Sequence, residues 1–341
     1  MRGEPVRSDM FSWPGTPKEP TAFDFSNEPP VHSFNCIKPI RQIMMDSTPH
    51  VVRKDGRTVP KFDNLYVPMA YSGDPFWRMG CKNGFLNHSY TPFIAMLYTI
   101  KCQSDWLMSE LSGMIVTKED FVQIRMEFND LFSKLRENRG AGRHGSASED
   151  EFFRLGYLFF VLAETSDSSL GLMISAFGEF NNPWIGSDSY SFSALKISTI
   201  RHWSLKLQDV VLSDLNWKAF YFRHLGKSDD HSFWFFNFPT LDPFTFNHMM
   251  EAKTDDFFEF VLSYLKTLSS RGVRTMITVP ASTQRMTDIF KRLDLAPSDN
   301  FMRNNDIIVQ PVETIDCVES FRLIITNYFP SHNKAFEMVA K

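Results

Sequence analysis

The sequence predicts a mainly α protein with a smaller α/β layer at its C-terminus, an α+β class, preceded by an extended Pro-rich N-terminal arm. Three observations carry that expectation. Nine of the 19 prolines fall within residues 1–60. Residues 91–164 place apolar side chains at helical spacing between cap and stop signals. Residues 254–312 alternate helix and strand patterns. The expected organisation is an arm (1–60), a mainly helical body (61–215), and a hairpin with an α/β layer (216–341).

In the arm, proline removes backbone donors and disfavours helix in the residue before it. Phe11, Trp13, Phe23, Phe25 and Phe34 stand among the prolines without any period. Disordered linkers are poor in aromatics, so these five predict an assembly arm that docks on its own body or on a neighbour. Its eight Lys/Arg nearly cancel seven Asp/Glu.

Residues 61–90 are rich in turn signals, including Gly73-Asp74-Pro75 and Asn83-Gly84. A first helix is expected from Ser89 or Thr91 to a stop at Gly113, with Phe93, Leu97, Ile100, Leu107 and Leu111 on one face. A second opens on Thr117 and Asp120, a capping-box pattern, and carries Phe121, Ile124, Phe128, Leu131 and Leu135 as its apolar stripe. Ser148 and Glu151 form the capping box of a third, apolar around most of its circumference and therefore central. The stretch 165–215 reads as short strands or irregular structure. "WKAFYFRHLGKSDDHSFWFFNFP" reads as a β-hairpin turning at Gly226-Lys227-Ser228-Asp229. A helix closed by Arg271-Gly272, a strand "VRTMITVP", a helix "STQRMTDIFKRLDL" and a strand "DIIVQPV" complete the C-terminal layer.

Between the second and third helices lies Gly140-x-Gly142-x-x-Gly145. A dinucleotide fingerprint needs a strand to deliver its glycine turn to a helix N-terminus. Here a helix enters the loop, so the loop reads as a connector. Arg136, Arg139, Arg143 and His144 give it basic character and make it the candidate contact for RNA.

Composition narrows the function classes. The 341 residues exceed what one core usually serves. The 43% hydrophobic and 22% charged fractions are those of a soluble globular chain. Aromatics reach 15%, with 34 Phe, which favours subunit contacts. A net charge of −4 argues against a dedicated nucleic-acid binder. Cys36, Cys81, Cys102 and Cys317 show no paired spacing, so neither a zinc site nor a disulfide framework is expected. No apolar run approaches a membrane span, and the N-terminus has no signal core, so an intracellular protein without membrane contact is expected.

Motifs of chemistry are sparse. There is no HExxH and no G-x-S-x-G; "IGSDSYS" lacks the second glycine. Cys81 and His88 form no dyad by proximity in sequence alone. His224 and His231 flank the expected hairpin turn. Asp255, Asp256 and Glu259 are explained by a helix's first turn. "IRHWSLKLQ", with Arg201, His202, Trp203 and Lys206, is the nearest approach to a single-strand stacking pattern. No catalytic residue, metal or cofactor is assigned.

Two resemblances follow from these segments. "SFWFFNFP", "FFEFVLSYLKTLSSRGVRTMITVP" and "TQRMTDIFKRLDLAPSDNFMRNNDIIVQ" resemble the C-terminal half of a GCN5-related acyltransferase. That family implies an acyl-CoA pyrophosphate held by an [RQ]-x-x-G-x-[GA] loop. "PTLDPFTFNHMMEAKTDD" stands there without glycine and with two acids before the helix, so the resemblance implies a lost cofactor site. The Pro-rich aromatic arm and helical body also resemble, in organisation, the coat proteins of small segmented double-stranded RNA viruses of the partitivirus type. That resemblance implies a non-enzymatic, self-assembling capsid protein in the virion or host cytoplasm. Its partner would be itself, with weak non-specific RNA contacts. The alternatives are an acyltransferase-like protein, active or degenerate, and an RNA-associated accessory protein.

Overall fold

The computed structural model describes residues 48–52, 54, 58–70, 81–140, 148–167, 173–175, 177–238, 263–281, 283–294, 296–298, 301–304, 307–313 and 321–328. In chain order they form β1 (His50–Val52), β2 (Thr58–Pro60), β3 (Asn64–Val67), β4 (Asn83–Asn87), α1 (Thr91–Cys102), α2 (Ser104–Leu111), β5 (Ile115–Thr117), α3 (Lys118–Gly140) and α4 (Glu149–Thr165). There follow β6 (Ser189–Ser191), α5 (Ala194–Leu207), β7 (Val210–Ser213), α6 (Trp217–Leu225), β8 (Ser232–Asn237) and α7 (Leu265–Ser270). The C-terminal elements are β9 (Arg274–Ala281), α8 (Thr283–Arg292), β10 (Ala296–Ser298), β11 (Phe301–Asn304), β12 (Ile307–Glu313) and β13 (Phe321–Thr326). The described residues are mixed α/β, with which the expectation of a mainly α protein agrees in part.

It divides into two compact units, one containing Leu86–Leu215 and the other containing Asn35–Phe85 and Asn216–Lys341. Unit 1 is the helical one. Its α1 is buried from Pro92 to Lys101, and α4 is buried through Leu155–Thr165. These two helices cross closely at Gly156, where a Cβ would overlap Thr99 Oγ1 and the carbonyl of Ala95. The capping box of α4 forms as its sequence predicts: Glu151 N–H donates to Ser148 Oγ and Ser148 N–H to Glu151 Oε2, both at 3.1 Å. Thr117 and Asp120 cap α3 in the same reciprocal way, at 3.0 and 3.2 Å. Phe128 on α3, Phe159 on α4 and Phe180 join one aromatic cluster, with centroids 6.0–6.2 Å apart. The single helix expected over 91–113 breaks at Gln103 into α1 and α2. Gly113 (φ 76°) follows, in the left-handed region that suits glycine.

In the stretch expected to be strands or irregular, α5 is a helix capped by Ser193, whose side chain accepts from Lys196 N–H at 3.1 Å. Its buried Ile200, Trp203, Ser204 and Leu207 lie at helical spacing. The apolar runs on either side had masked that period.

Unit 2 is built on a mixed sheet in which β10, β11, β12, β13, β9, β8, β3 and β4 are successive neighbours. The central strands are parallel: β3 with β8 (Leu65↔Phe233, Tyr66↔Trp234) and β8 with β9 (Phe235↔Met276, Asn237↔Thr278). From β9 outward to β10 every pairing is antiparallel. Parallel strands buried on both faces read as continuous apolar runs without alternation. β8, "SFWFFN", is buried at all six positions, so no period of two betrays it.

Of the hairpin expected over 217–239, one arm is a helix. Its first arm is α6, capped by Asn216, whose side chain accepts from Lys218 N–H at 2.8 Å. Trp217, Phe220, Tyr221 and His224 are its buried face, spaced i, i+3, i+4, i+7. Only the second arm, β8, is a strand. The turn at Arg271-Gly272 stops α7 as expected, with Gly272 at φ 73°. β9, α8 and β12 also form where the sequence places them.

Candidate functional site

The chain runs from β3 outward to β4 on one side, and β8 then lies on the other side of β3. Strand order therefore reverses between β3 and β8. In open α/β sheets this is the place where the carboxyl ends of adjacent parallel strands diverge and leave a crevice for ligands. Here the two ends are Val67 of β3, followed by Pro68, Met69 and Ala70, and Asn237 of β8, followed by Phe238. Val67, Met69, Ala70, Asn237 and Phe238 are all buried.

Aromatic rings pack against one another along these strands. Tyr66 stacks on Phe85 at 4.5 Å and on Trp234 at 4.8 Å. Trp234 stacks on Phe236 at 5.6 Å, and Trp217 meets Phe236 and Phe238 edge-on. Trp234 Nε1 donates to Ser228 Oγ at 3.0 Å, and Ser228 Oγ donates to the His224 carbonyl at 3.0 Å. His224 sits between the rings of Phe220, Tyr66 and Phe85. Burial, then the nearby Lys227 and Arg223, push its imidazole down to about 4.

One polar pair lies where β8 ends. Thr278 Oγ1 donates to Asn237 Oδ1 at 2.8 Å, and both residues are buried. The backbone ladder continues past them, with Phe238 N–H donating to the Thr278 carbonyl at 2.8 Å. A buried carboxamide is costly unless hydrogen-bonded, and this one ends a strand whose other residues are Ser232, Phe and Trp. Neither residue stood out in the sequence. The available signal was a single polar residue closing an unbroken apolar run, "FWFFN".

Unit 1 has its own buried polar groups. The Asn87 carboxamide closes the end of β4: Nδ2 donates to the Leu215 carbonyl, and Oδ1 accepts from Leu215 N–H and Ser213 Oγ, each at 2.8 Å. His88 Nδ1 accepts from Tyr90 N–H at 2.9 Å, and burial lowers this imidazole to about 4. Lys101 Nζ donates to the Val210 carbonyl at 2.8 Å. Glu164 pairs with Lys196 at 2.9 Å, and burial followed by that carboxylate pushes the Tyr190 phenol up to about 12. All of these bonds tie chain segments to one another.

Of the residues expected to form sites, only some lie among the described ones. Arg136 is exposed in the last turns of α3, its guanidinium 5.9 Å from the Phe132 ring centroid. Arg139 lies in the final turn of the same helix. Arg143 and His144 fall outside the described residues, as do Phe11, Trp13, Phe23, Phe25 and Phe34. His224 is buried while His231 is exposed, so they form no facing pair. In α5, Trp203 is buried under Lys196, and Arg201 is held by Asp105 at 2.8 Å. Among the described residues no group of His, Cys, Asp and Glu is placed to hold a metal, and no helix is long and apolar enough to cross a membrane.

No family model matches the chain, and no curated protein matches it.

Proposed function

We propose that unit 2 binds a nucleoside-type small molecule at the carboxyl ends of β3 and β8, and that this ligand serves a group-transfer reaction. The observation that carries the reading is the reversal of strand order between these two parallel strands, the position at which doubly wound sheets take nucleotides. The sequence narrows the ligand further. A pyrophosphate wants a glycine-rich turn or cations. "PMAYSGDPFWRMG" after β3 offers one cation, Arg78, and no G-x-G-x-x-G. "FPTLDPFTFNHMMEAK" after β8 offers no glycine and one lysine against two acids. A nucleoside donor without a pyrophosphate suits these edges best, and S-adenosylmethionine is the leading instance. The same feature disfavours acyl-CoA and dinucleotides.

The test is a melting series of the full chain with S-adenosylmethionine, S-adenosylhomocysteine, ATP, NAD and acetyl-CoA. A ligand at a hundred times its Kd stabilises the folded state by about 2.7 kcal/mol. The expected result is a rise in Tm with the two adenosyl sulfur compounds. No rise with any of the five would overturn the reading. A rise with acetyl-CoA alone would favour the acyltransferase-like alternative.

A coat protein is the second reading. What favours it is large apolar side chains left exposed in unit 1: Phe177 (74%), Leu195 (76%) and Leu205 (67%). Light scattering of the purified chain tests it, since closed shells or large regular oligomers are its expected outcome and a monomer speaks against it. For an RNA-associated protein the support is weaker. Residues 86–215 carry 11 Lys/Arg against 16 Asp/Glu, the wrong balance for a phosphate-binding surface.

A further inference from the structure

We infer that the outer face of α5 is a self-association surface, on which a second copy of this chain seats its own α5 in antiparallel register, Leu195 against Leu205. The contact lies within unit 1 and does not depend on ligand binding by unit 2. α5 buries Ile200, Trp203, Ser204 and Leu207. At 3.6 residues per turn, Leu195, Ser198, His202 and Leu205 lie on the opposite side, and all four are exposed. A surface helix ordinarily carries polar residues at such positions. Here two leucines stand 76% and 67% exposed.

Charge selects the occupant. Of the three cations of α5, Lys196 is compensated by Glu164 at 2.9 Å and Arg201 by Asp105 of the adjoining α2 at 2.8 Å. A face compensated in this way has little net field with which to attract a nucleic acid or a strongly charged protein. Residues 86–215 carry 11 Lys/Arg against 16 Asp/Glu, so two copies of unit 1 repel through their net charge. That repulsion is weakest along α5, which contains no acid. The spacing also suits a twofold contact. Leu195 and Leu205 are about 15 Å apart along the helix axis. A twofold axis passing at the level of Ile200 therefore brings each leucine onto the other one of the second copy, an isologous contact. In that register the two Lys206 residues stand about 18 Å apart along the helices, beyond the screening length of about 8 Å at physiological salt. The exposed Arg201–Asp105 pair falls beside the axis and forms, with its counterpart in the second copy, a charge-neutral group of four. The 14 residues of α5 offer a face of about 21 Å by about 10 Å. That is well short of the roughly 800 Å² per partner of a stable complex, so the dimer is weak and depends on concentration.

The experiment is sedimentation velocity of the full-length chain from micromolar to near-millimolar concentration. Wild type is expected to shift reversibly from monomer to dimer. The double variant L195D/L205D is expected to weaken the dimer by about tenfold or more, with an unchanged Tm because both side chains are exposed. Disulfide trapping reads the geometry. Chains carrying L195C mixed with chains carrying L205C are expected to cross-link above the wild-type background, while neither variant does so alone. Like positions lie about 15 Å apart in this register, and a disulfide needs Cα atoms within about 7 Å. A monomer at every concentration would give the face to another occupant and overturn the inference. Dimers unaffected by L195D/L205D, or L195C cross-linking equally well alone, would overturn it too. Association that stops at two chains would support the contact and count against the coat reading.

Discussion

In unit 1 the buried Lys101, Asn87 and Glu164 side chains reach backbone groups or a counter-charge. Lys101 reaches the Val210 carbonyl, Asn87 brackets Leu215, and Glu164 takes Lys196. Each ties together segments that the helical packing already brings near. In unit 2 the buried pair Thr278–Asn237 ties two neighbouring strands that the backbone ladder already joins. Both kinds of bond satisfy polar groups that burial would otherwise make costly. The first links segments distant in the chain, and the second reinforces the pairing of adjacent strands.

The comparison can be broken by removing each kind of bond in turn. The largest effect is expected from Lys196→Met, which leaves the Glu164 carboxylate, 2% exposed, buried without its counter-charge. Breaking a buried pair from one side costs about 3 kcal/mol or more, visible as a lowered urea midpoint with an unchanged slope. Next is Gly156→Ala at the α1–α4 crossing, where the added methyl meets Thr99 and the Ala95 backbone. Overpacking of this kind costs about 1–3 kcal/mol, and a thermal melt measures it. A melt unchanged within error would show that α1 and α4 can separate cheaply.

Acid sharpens the comparison, since each unit holds one buried imidazole. His88 and His224 both stand near 4 when folded, below the ordinary value of 6.5. The unfolded chain thus binds more protons between these values. Stability is full above about pH 6.5, falls as pH drops towards 4, and flattens below. His224 Nδ1 is buried without a hydrogen-bond partner among the described residues, so H224Q and H88Q should each flatten part of this slope. Equal slopes in wild type and both variants would assign the acid sensitivity to other groups. The smallest effect expected is from Ser148→Ala, which removes half of the α4 capping box for about 1 kcal/mol.

Local signals made the helical unit partly legible. Ser148 and Glu151 announced α4, and Thr117 with Asp120 announced α3, because a cap and its partner lie within four residues. Residues 217–222 predict a strand because Trp, Tyr and Phe favour strands on average. The spacing of Trp217, Phe220, Tyr221 and His224 behind an Asn cap outweighs that preference. α5 was hidden by the apolar runs at its ends. In the sheet unit β9 and β12 were visible as strands, yet their partners were not.

What the sequence determined by itself is therefore local: caps, stops, the apolar faces of α3 and α4, and the identity of most C-terminal elements. What only the tertiary structure decided is long-range. β3 and β8 pair across the whole helical unit, with Leu65 opposite Phe233. Thr278 meets Asn237 across 41 positions of chain. Parallel pairing needs a crossover, so no turn fixes its register and no period advertises a strand buried on both faces. The order of strands follows from how apolar surfaces are shared among distant segments, which no short stretch of residues encodes.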